Sequence, residues 1–165
     1  MRDFLQCIKY IRLALIVISS FILPIHSYAQ GVYFKQLSVH NGLSQNDVSS
    51  IVQDSYGFIW IGTYDGLNRF DGIKVESFRK MTANLESLPD NRITALEEDD
   101  KKRLWIGTQA GLLSYYSLKK QQFIRVESPE NTGVINDFLQ ANDNTMYAIT
   151  STGILRLKEV PEPIF

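Results

Sequence analysis

The chain has 165 residues, a length that suits about one domain at the usual scale of roughly 100–200 residues each. Its residues are 44% hydrophobic and 12% aromatic, which is typical of a globular protein and unlike a disordered or collagen-like chain. The formal net charge of -1 at pH 7 offers no basic surface for nucleic acid or for an anionic membrane. The totals therefore favour a folded domain and exclude a nucleic-acid partner.

Residues 1–29 have the order of regions of a secretory signal peptide. The mildly basic MRDFLQCIKYIR precedes the apolar run LALIVISSFIL, and PIHSYAQ follows, with Ser27 and Ala29 at positions -3 and -1 of a cut. The apolar run is short for a membrane span, so an uncleaved N-terminal anchor is the weaker alternative. Cys7, the one cysteine, would leave with the signal. We predict an exported, periplasmic chain without disulfides.

The sequence repeats itself after residue 43. QDSYGFIWIGTYDGLNRFDG (53–72) aligns with EDDKKRLWIGTQAGLLSYYS (98–117) at an offset of 45, and a weaker third copy follows at an offset of 42. A period near this length is typical of propeller blades, kelch-like units or helical repeats. The repeated positions are Asp54, Gly57, Trp60, Gly62, Thr63, Gly66 and Leu67 in the first copy, Asp99, Trp105, Gly107, Thr108, Gly111 and Leu112 in the second, and Tyr147, Thr150 and Gly153 in the third.

Local patterns favour strands over helices in every copy. FIWIGT is apolar on both faces, as a strand between two neighbouring blades would be, whereas IKVESFRK mixes charges among its apolar residues, as an outer strand would. We find no clean helical period after residue 29. Strands are predicted at 47–53, 58–63, 66–71 and 73–79 in the first unit and at 92–98, 103–108, 111–117 and 121–127 in the second.

The predicted fold is all-β, a partial β-propeller of about three four-stranded blades, because a closed propeller needs about four to eight. Recurrence of Trp60 and Trp105 at one blade position favours packing between blades over stacking on a ligand. Gly57 is expected at positive φ in a tight turn, where Lys102 and Asn144 replace it in the later copies. The predicted order is a signal peptide at 1–29, a lead-in strand at 30–44, blade 1 at 45–80, blade 2 at 81–127 and an incomplete blade 3 at 128–165.

GLSQNDVSSIVQDSYGFIWIGTYDGLNRFDG (42–72) resembles the two-component regulator propeller repeat, whose Asp–x–x–Gly–x–x–Trp–x–Gly–Thr–x–x–Gly–Leu order it meets in full. The second copy departs from that order at Lys102, and YFKQLSVHNGLS (33–44) is similar to the usual opening of such sensors. The resemblance implies the N-terminal part of the periplasmic propeller of a hybrid two-component sensor. Such a parent would bind glycan fragments, be dimeric, sit in the inner membrane and carry a histidine kinase in a part absent here. The remaining propeller blades of that parent would be partners of this chain.

No cofactor, metal or catalytic site is predicted. His40 lies in SVHNGLS without a second ligand at a useful spacing, so it reads as a loop histidine. Glycoside hydrolysis needs two carboxyl groups that face each other across a bond, and the acids of this chain fall mostly in turns. The acids considered are Asp65, Asp71, Glu76, Asp90, Glu97, Glu98, Asp99 and Asp100.

A bound oligosaccharide would meet aromatic and planar polar side chains near turns, and the sequence alone assigns no ligand site. Alternatives to the sensor are a secreted propeller enzyme of lyase or hydrolase type, for which Tyr64 and Arg69 are conceivable residues, a secreted carbohydrate-binding protein, and a truncated reading frame. The turn residues considered for ligand binding are Tyr64, Asp65, Asn68, Arg69, Gln109 and Tyr116.

Overall fold

The computed structural model describes residues 33–157 together with five helical residues near the N-terminus, Gln6, Ile8, Tyr10, Arg12 and Leu13. The chain divides into two compact units, Met1–Lys35 and Gln36–Phe165. Most of the predicted signal peptide and residues 158–165, the predicted end of blade 3, lie outside the described residues. Within the described part, no helix combines the length and the apolar character that crossing a membrane requires.

Three antiparallel sheets follow one another along residues 48–157, and in each the strand order is the chain order. We call them blades 1, 2 and 3. Their meander confirms the all-β, partial-propeller prediction, and most of the predicted strands are recovered with ends one or two residues away. Blade 1 contains β1 (Val48–Gln53), β2 (Ile59–Thr63), β3 (Gly66–Phe70) and β4 (Val75–Phe78); blade 2 contains β5 (Ile93–Glu98), β6 (Arg103–Thr108), β7 (Leu113–Ser117) and β8 (Gln122–Val126); the described part of blade 3 contains β9 (Ile135–Gln140), β10 (Met146–Thr150) and β11 (Gly153–Leu157).

The segment 33–44 forms no strand, so the predicted lead-in strand is wrong for these residues. A 3-10 helix spans Val39–Asn41 instead. The Asn41 Oδ1 atom accepts the Ser38 backbone N–H at 3.1 Å, and Gly42 ends the helix at φ 103°. A local side-chain bond of this kind competes with extended structure, and the left-handed glycine reverses the chain. The segment reaches blade 1 as a turn.

The apolar core lies between successive blades. Trp60 of blade 1 is fully buried and packs with Ile106 and Tyr116 of blade 2, its ring centroid 5.1 Å from that of Tyr116. Trp105 repeats this arrangement one blade later and packs with Ile135 and other blade 3 residues. Each blade covers the apolar face of the preceding one, which is how stacked repeats gain stability.

Candidate ligand-binding face

Each of the first two repeats is closed by a buried aspartate. The Asp54 Oδ1 atom accepts the backbone N–H groups of Tyr56 and Phe58 at 2.9 and 3.0 Å, and Oδ2 accepts the Trp60 indole Nε1–H at 2.7 Å. One carboxylate thus fixes both the β1–β2 turn and the orientation of the tryptophan. The repeated Asp and Trp are therefore parts of the framework and do not face a ligand.

Asp99 does the same in blade 2 and adds an ion pair. Its Oδ2 atom accepts the Trp105 indole N–H at 2.8 Å and the Arg103 Nε–H at 2.6 Å. The Arg103 guanidinium lies 5.2 Å from the centre of the Trp105 ring. Because both charges are buried, their mutual pairing is what makes the burial tolerable.

The repeated glycine and threonine also have structural roles. A Cβ atom built on Gly62 would lie 2.7 Å from the Ile93 Cγ2 atom, and one on Gly107 would lie 2.6 Å from the Ile135 Cβ atom. The next blade therefore approaches too closely for any side chain at this position. The Thr63 Oγ1 atom accepts the Asp65 N–H at 3.1 Å and donates to the Gly66 carbonyl at 2.9 Å, which holds the β2–β3 turn.

In all three blades, the turn between the first and second strands contains a residue in the left-handed conformation. Gly57 has φ 93°, and Lys102 and Asn144 at the equivalent positions have φ 59° and 64°. The predicted positive φ at Gly57 is confirmed. Lysine is poorly suited to this conformation, since its Cβ atom approaches the following carbonyl oxygen.

Two of the residues considered for ligand binding lie in the core. Asn68 is fully buried, and its Oδ1 atom accepts the Ser44 N–H at 2.9 Å and the Ser77 hydroxyl at 2.8 Å. Tyr116 is 3% exposed, with its ring 4.8 Å from that of Phe123. Turn position in the sequence suggested exposure, but the adjacent segment or blade covers both side chains.

Arg69 is also largely occupied. Its Nη2–H donates to Glu76 Oε2 at 2.6 Å, and its guanidinium lies 4.8 Å over the Phe58 ring. Gln109 and Tyr64 are exposed at turns that join the second and third strands of their blades. Because strands alternate in direction, those turns lie at the same end of each blade.

A polar cluster surrounds Asp65 at that end of blade 1. The Asp65 Oδ2 atom pairs with Arg79 Nη2 at 3.1 Å, and its Oδ1 atom accepts the Asn91 Nδ2–H at 3.5 Å. Tyr64, adjacent in sequence, is 46% exposed. We call Tyr64, Asp65, Arg79 and Asn91 the polar cluster. Both side chains of the ion pair are about half exposed, so they are available to hydrogen-bond a solute.

Arg79 also lines a cleft of about 330 Å³ whose walls come from blades 1 and 2 and their connection. Phe78, Tyr116 and Phe123 supply its aromatic wall, and the polar lining includes Asn84 and Gln122. Burial raises the pKa of the Tyr116 hydroxyl. An apolar wall with a few convergent polar groups is the usual character of a small-ligand site.

A larger cleft of about 440 Å³ is lined by residues of blades 2 and 3, among them Arg103, Trp105, Asp143 and Arg156. Its arginine nearest the core, Arg103, is held by Asp99, and Trp105 is 2% exposed. The groups that could recognise a solute there are fewer than in the first cleft. We therefore take the 330 Å³ cleft and the polar cluster as the candidate site.

The sequence singled out Tyr64 and Asp65 as turn residues considered for ligand binding, without assigning a site, and it missed Arg79 and Asn91. A signal for Asn91 existed, because it repeats Asn46 at the same offset of 45. Asn46 Oδ1 accepts the Val39 N–H at 3.0 Å, and Asn91 Oδ1 accepts the Lys80 N–H at 2.7 Å. The repeated asparagine thus holds the chain that enters each blade, and in blade 2 it also reaches Asp65.

The acids considered for catalysis are mostly engaged in turns or pairs. The Asp71 Oδ1 atom accepts two backbone N–H groups, and the one from Lys74 does most to hold the pKa of Asp71 below its usual range. Glu97 differs, since burial raises its pKa, with smaller contributions from the charges of Asp137 and Glu98. The other acids bind as follows: Asp65 to Arg79, Glu76 to Arg69, Asp90 to the Asn91 N–H, Glu98 to Ser55, Asp99 to Arg103 and Asp100 to Gln140.

His40 lies in the 3-10 helix and is exposed. Among the described residues, no group of three or more His, Cys, Asp or Glu side chains could hold a metal ion. The structure thus places His40 at the surface of the turn that precedes blade 1.

The sequence profile named two component regulator propeller matches residues 42–65 and 87–110. Each match runs from the turn before a blade through its second strand, so it contains the Asp, Trp, Gly and Thr described above. A curated relative, histidine kinase P4 of Formosa agariphila, is 48% identical over 46 residues, which make up 28% of this chain and 3% of that protein.

Solved structures similar to this chain include extracellular domains of two-component systems from B. thetaiotaomicron. The domain of hybrid system BT3049 has a TM-score of 0.61 and 28% identity over 70% of this chain, and that of BT4673 has a TM-score of 0.63 and 26% identity over 77%. The chain spans 17% of each of those domains. A streptogramin B lyase structure, at 14% identity and a TM-score of 0.57, is similar in fold alone.

Proposed function

Since residues 42–65 and 87–110 are two-component regulator propeller repeats, we propose that this chain is a ligand-sensing part of the extracellular propeller of a two-component sensor. The observation that carries the proposal is the similarity, at 26–28% identity, to extracellular domains of such systems. Repeat residues supply the framework, and the recognition of a ligand is left to the turns and clefts at its edges. The kinase that receives the signal would belong to a part of the protein outside this chain.

The ligand class that we propose is a glycan fragment, bound in the 330 Å³ cleft and at the polar cluster. Phe78, which is partly exposed, gives the apolar surface on which a sugar ring packs, and Arg79 offers planar donors to ring hydroxyls or to a uronate carboxylate. The Asp65 carboxylate is an acceptor beside it. The site binds without chemistry in this proposal, and the chain itself is not an enzyme.

A binding experiment tests the ligand class. A panel of neutral and acidic oligosaccharides is titrated into the chain by calorimetry, together with Arg79→Ala and with Arg156→Ala, which lines the other cleft. We expect binding of at least one oligosaccharide, a loss of about tenfold in affinity for Arg79→Ala, consistent with a charge-assisted hydrogen bond, and no change for Arg156→Ala. A panel without any binder, or an equal loss in both variants, would overturn the glycan proposal at this site.

A second experiment tests the sensor context and the export of the chain. Cells are fractionated and blotted with an antibody against residues 33–157. A membrane-bound band far larger than 18.9 kDa is expected for a sensor that spans the inner membrane and presents this propeller to the periplasm. A cytoplasmic band would contradict both the proposed location and the proposed role.

A further inference from the structure

Four residues other than glycine adopt the left-handed conformation in the part of the chain that the structure describes. They are Lys102, Gln121, Asn131 and Asn144, with φ between 55° and 64°. Asparagine tolerates this conformation, because its short side chain can hydrogen-bond the local backbone. The Lys102 ammonium lies 4.9 Å from the centre of the Tyr56 ring, a contact that offsets part of the strain. Gln121 is neither an asparagine nor a cation on a ring, so its residue type needs another explanation.

The turn between β7 and β8 uses the left-handed backbone of Gln121 and does not use its side chain. The Gln121 N–H donates to the Ser117 carbonyl at 2.7 Å, and the Lys120 N–H donates to Ser117 Oγ at 3.2 Å. Both donors are backbone groups, so glycine at position 121 would close the same turn without the contact between a Cβ atom and the following carbonyl oxygen. A strained residue of a type that its turn does not require points to a function of the side chain.

Gln121 lines the 330 Å³ cleft of the candidate site. It does so from blade 2, together with Gln122 and Phe123, whereas Phe78 and Arg79 line the cleft from the side of blade 1. Gln121 is exposed, so its amide is available to a solute. A side-chain amide is both a donor and an acceptor of hydrogen bonds. The strained residue therefore adds to the cleft a polar group that glycine would not supply.

Another wall of the cleft comes from a connection that is longer than its counterpart. Residues 79–92, fourteen in number, join β4 to β5, and residues 127–134, eight in number, join β8 to β9. The longer connection supplies Met81, Asn84, Glu86 and Ser87 to the lining of the cleft. The cleft is thus built in part from features in which the repeats differ, namely the longer connection and the turn that contains Gln121.

The longer connection is held in one conformation by Ser87, which is 5% exposed. Its Oγ atom accepts the Met81 N–H at 2.9 Å and donates to the Asn84 carbonyl at 2.6 Å. The Asn84 Oδ1 atom in turn accepts the Glu86 N–H at 2.8 Å. Because these bonds order the wall before a ligand arrives, less entropy is lost on binding. The cleft therefore presents its polar groups in a fixed arrangement, to which Gln121 contributes.

We propose that Gln121 contacts the ligand and selects sugars with two neighbouring hydroxyl groups, an inference that rests on the proposed binding of a glycan fragment in this cleft. The Gln121 Nε2–H donates to one hydroxyl oxygen, and its Oε1 atom accepts from the other hydroxyl, since one planar amide carries both functions side by side. The strain at φ 55° is retained because it places this amide in the cleft. Glycine would make the turn more stable and remove the contact.

Stability and affinity should therefore change in opposite directions in Gln121→Gly. Thermal melting and calorimetry are applied to the full chain, with disaccharides of glucose, galactose, mannose and galacturonate as probes. We expect the melting temperature of Gln121→Gly to rise by about 3 °C and its affinity for the probe that the parent binds best to fall about tenfold. A variant that melts at or below the temperature of the parent would overturn the proposal, because the turn would then require glutamine.

Two further variants separate the amide from the backbone strain. Gln121→Met keeps the strained φ and the length of the side chain but removes both hydrogen-bonding atoms. Its affinity should fall about tenfold while its melting temperature stays within about 1 °C of the parent. Lys102→Gly is the matched control, since it relieves a φ of 59° at a residue outside the described lining of the cleft. It should melt at a slightly higher temperature and bind the probe as the parent does.

Deoxy analogues of the probe that the parent binds best, each lacking one ring hydroxyl, test the selectivity. The parent should bind one of them about tenfold more weakly than the intact probe, and Gln121→Met should not distinguish the two. Equal discrimination by both chains, or parent-like affinity of Gln121→Met for the intact probe, would overturn the role of Gln121 and leave the glycan proposal standing. If no probe binds the parent chain, the glycan proposal fails and this inference fails with it.

Discussion

Blades 2 and 3 have the same strand order but different side chains at the positions that define the repeat. Blade 2 has Asp99, Trp105 and Gly107, whereas blade 3 has Ala141, Tyr147 and Ile149 at the equivalent places. The register of β10 with β9 nonetheless follows that of β6 with β5, including the bulge at the start of the first strand. The meander itself therefore does not depend on the Asp–Trp–Gly set.

The turns show what replaces the carboxylate in blade 3. The Lys102 N–H donates to the Asp99 carbonyl at 2.9 Å, and the Asn144 N–H donates to the Ala141 carbonyl at the same distance. Asp143 takes over the side-chain bond, since its Oδ1 atom accepts the Thr145 N–H at 3.0 Å where the Asp99 Oδ1 atom accepts the Arg103 N–H at 2.9 Å in blade 2. What blade 2 gains from Asp99 and Gly107 is an oriented Trp105 and a close approach to blade 3. The repeat signature is then a device for stacking on the next blade.

The largest effect is expected from Asp99→Ala. It leaves the Arg103 guanidinium buried without its partner and removes the acceptor of the Trp105 indole, so we expect a loss of about 4 kcal/mol in the free energy of unfolding. Asp54→Ala leaves no buried arginine without a partner, so it should lower the free energy of unfolding by only about 2 kcal/mol. Urea denaturation measures both. Equal losses would mean that the ion pair adds nothing to blade 2.

The next largest loss of stability is expected at Gly107, where blade 3 approaches the backbone of blade 2 closely. Gly107→Ala places a Cβ atom against Ile135 and should cost about 3 kcal/mol, because overpacking displaces β9. The matched control is Ile149→Ala, at the equivalent position of blade 3 on a face that no described blade covers. Its loss in the free energy of unfolding should stay below about 1 kcal/mol. Adding Ile135→Gly to Gly107→Ala removes the Cβ and Cγ2 atoms that the new methyl group would meet, and should give a double variant less destabilised than the sum of the singles. Additive losses would show that the two residues do not meet.

The fold was predictable from sequence because its signal is repeated. Trp60 and Trp105 at one offset identify a buried blade position, and the glycine-containing turns separate the strands. The lead-in segment was not predictable, since Asn41 and Gly42 act through one local hydrogen bond and one left-handed residue, which no repeat marks. The candidate site was only partly predictable for a related reason: Arg79 lies outside the repeated signature and meets Asp65 only after folding.

A smaller effect is expected at the left-handed turn residue. Lys102→Gly relieves a strained φ of 59° and should stabilise the chain by about 1 kcal/mol, less about 0.5 kcal/mol for the lost contact of the Lys102 ammonium with the Tyr56 ring. Lys102→Ala loses that contact without relieving the strain and should be destabilised. At Gly57, where a Cβ atom would meet nothing within 4 Å, Gly57→Ala isolates the strain alone. Thermal melting ranks the three variants. A Lys102→Ala variant that melts at or above the temperature of the parent chain would contradict this account.

The smallest expected effect is a pH dependence of stability that comes from Glu97, on the face of blade 2 toward blade 3. Glu97 stands where blade 1 has Val52 and blade 3 has Leu139, and its pKa is raised first by burial and then by the charges of Asp137 and Glu98. A carboxyl with a raised folded pKa keeps its proton longer in the folded chain, so stability falls as the pH rises from the ordinary pKa to the folded one. Glu97→Gln removes this loss, and its advantage over the parent in urea denaturation should be larger at neutral pH than near pH ~4. An advantage that does not change with pH would instead assign the effect to packing alone. Asp137→Asn, which removes only the second cause, should show a weaker change of the same sign.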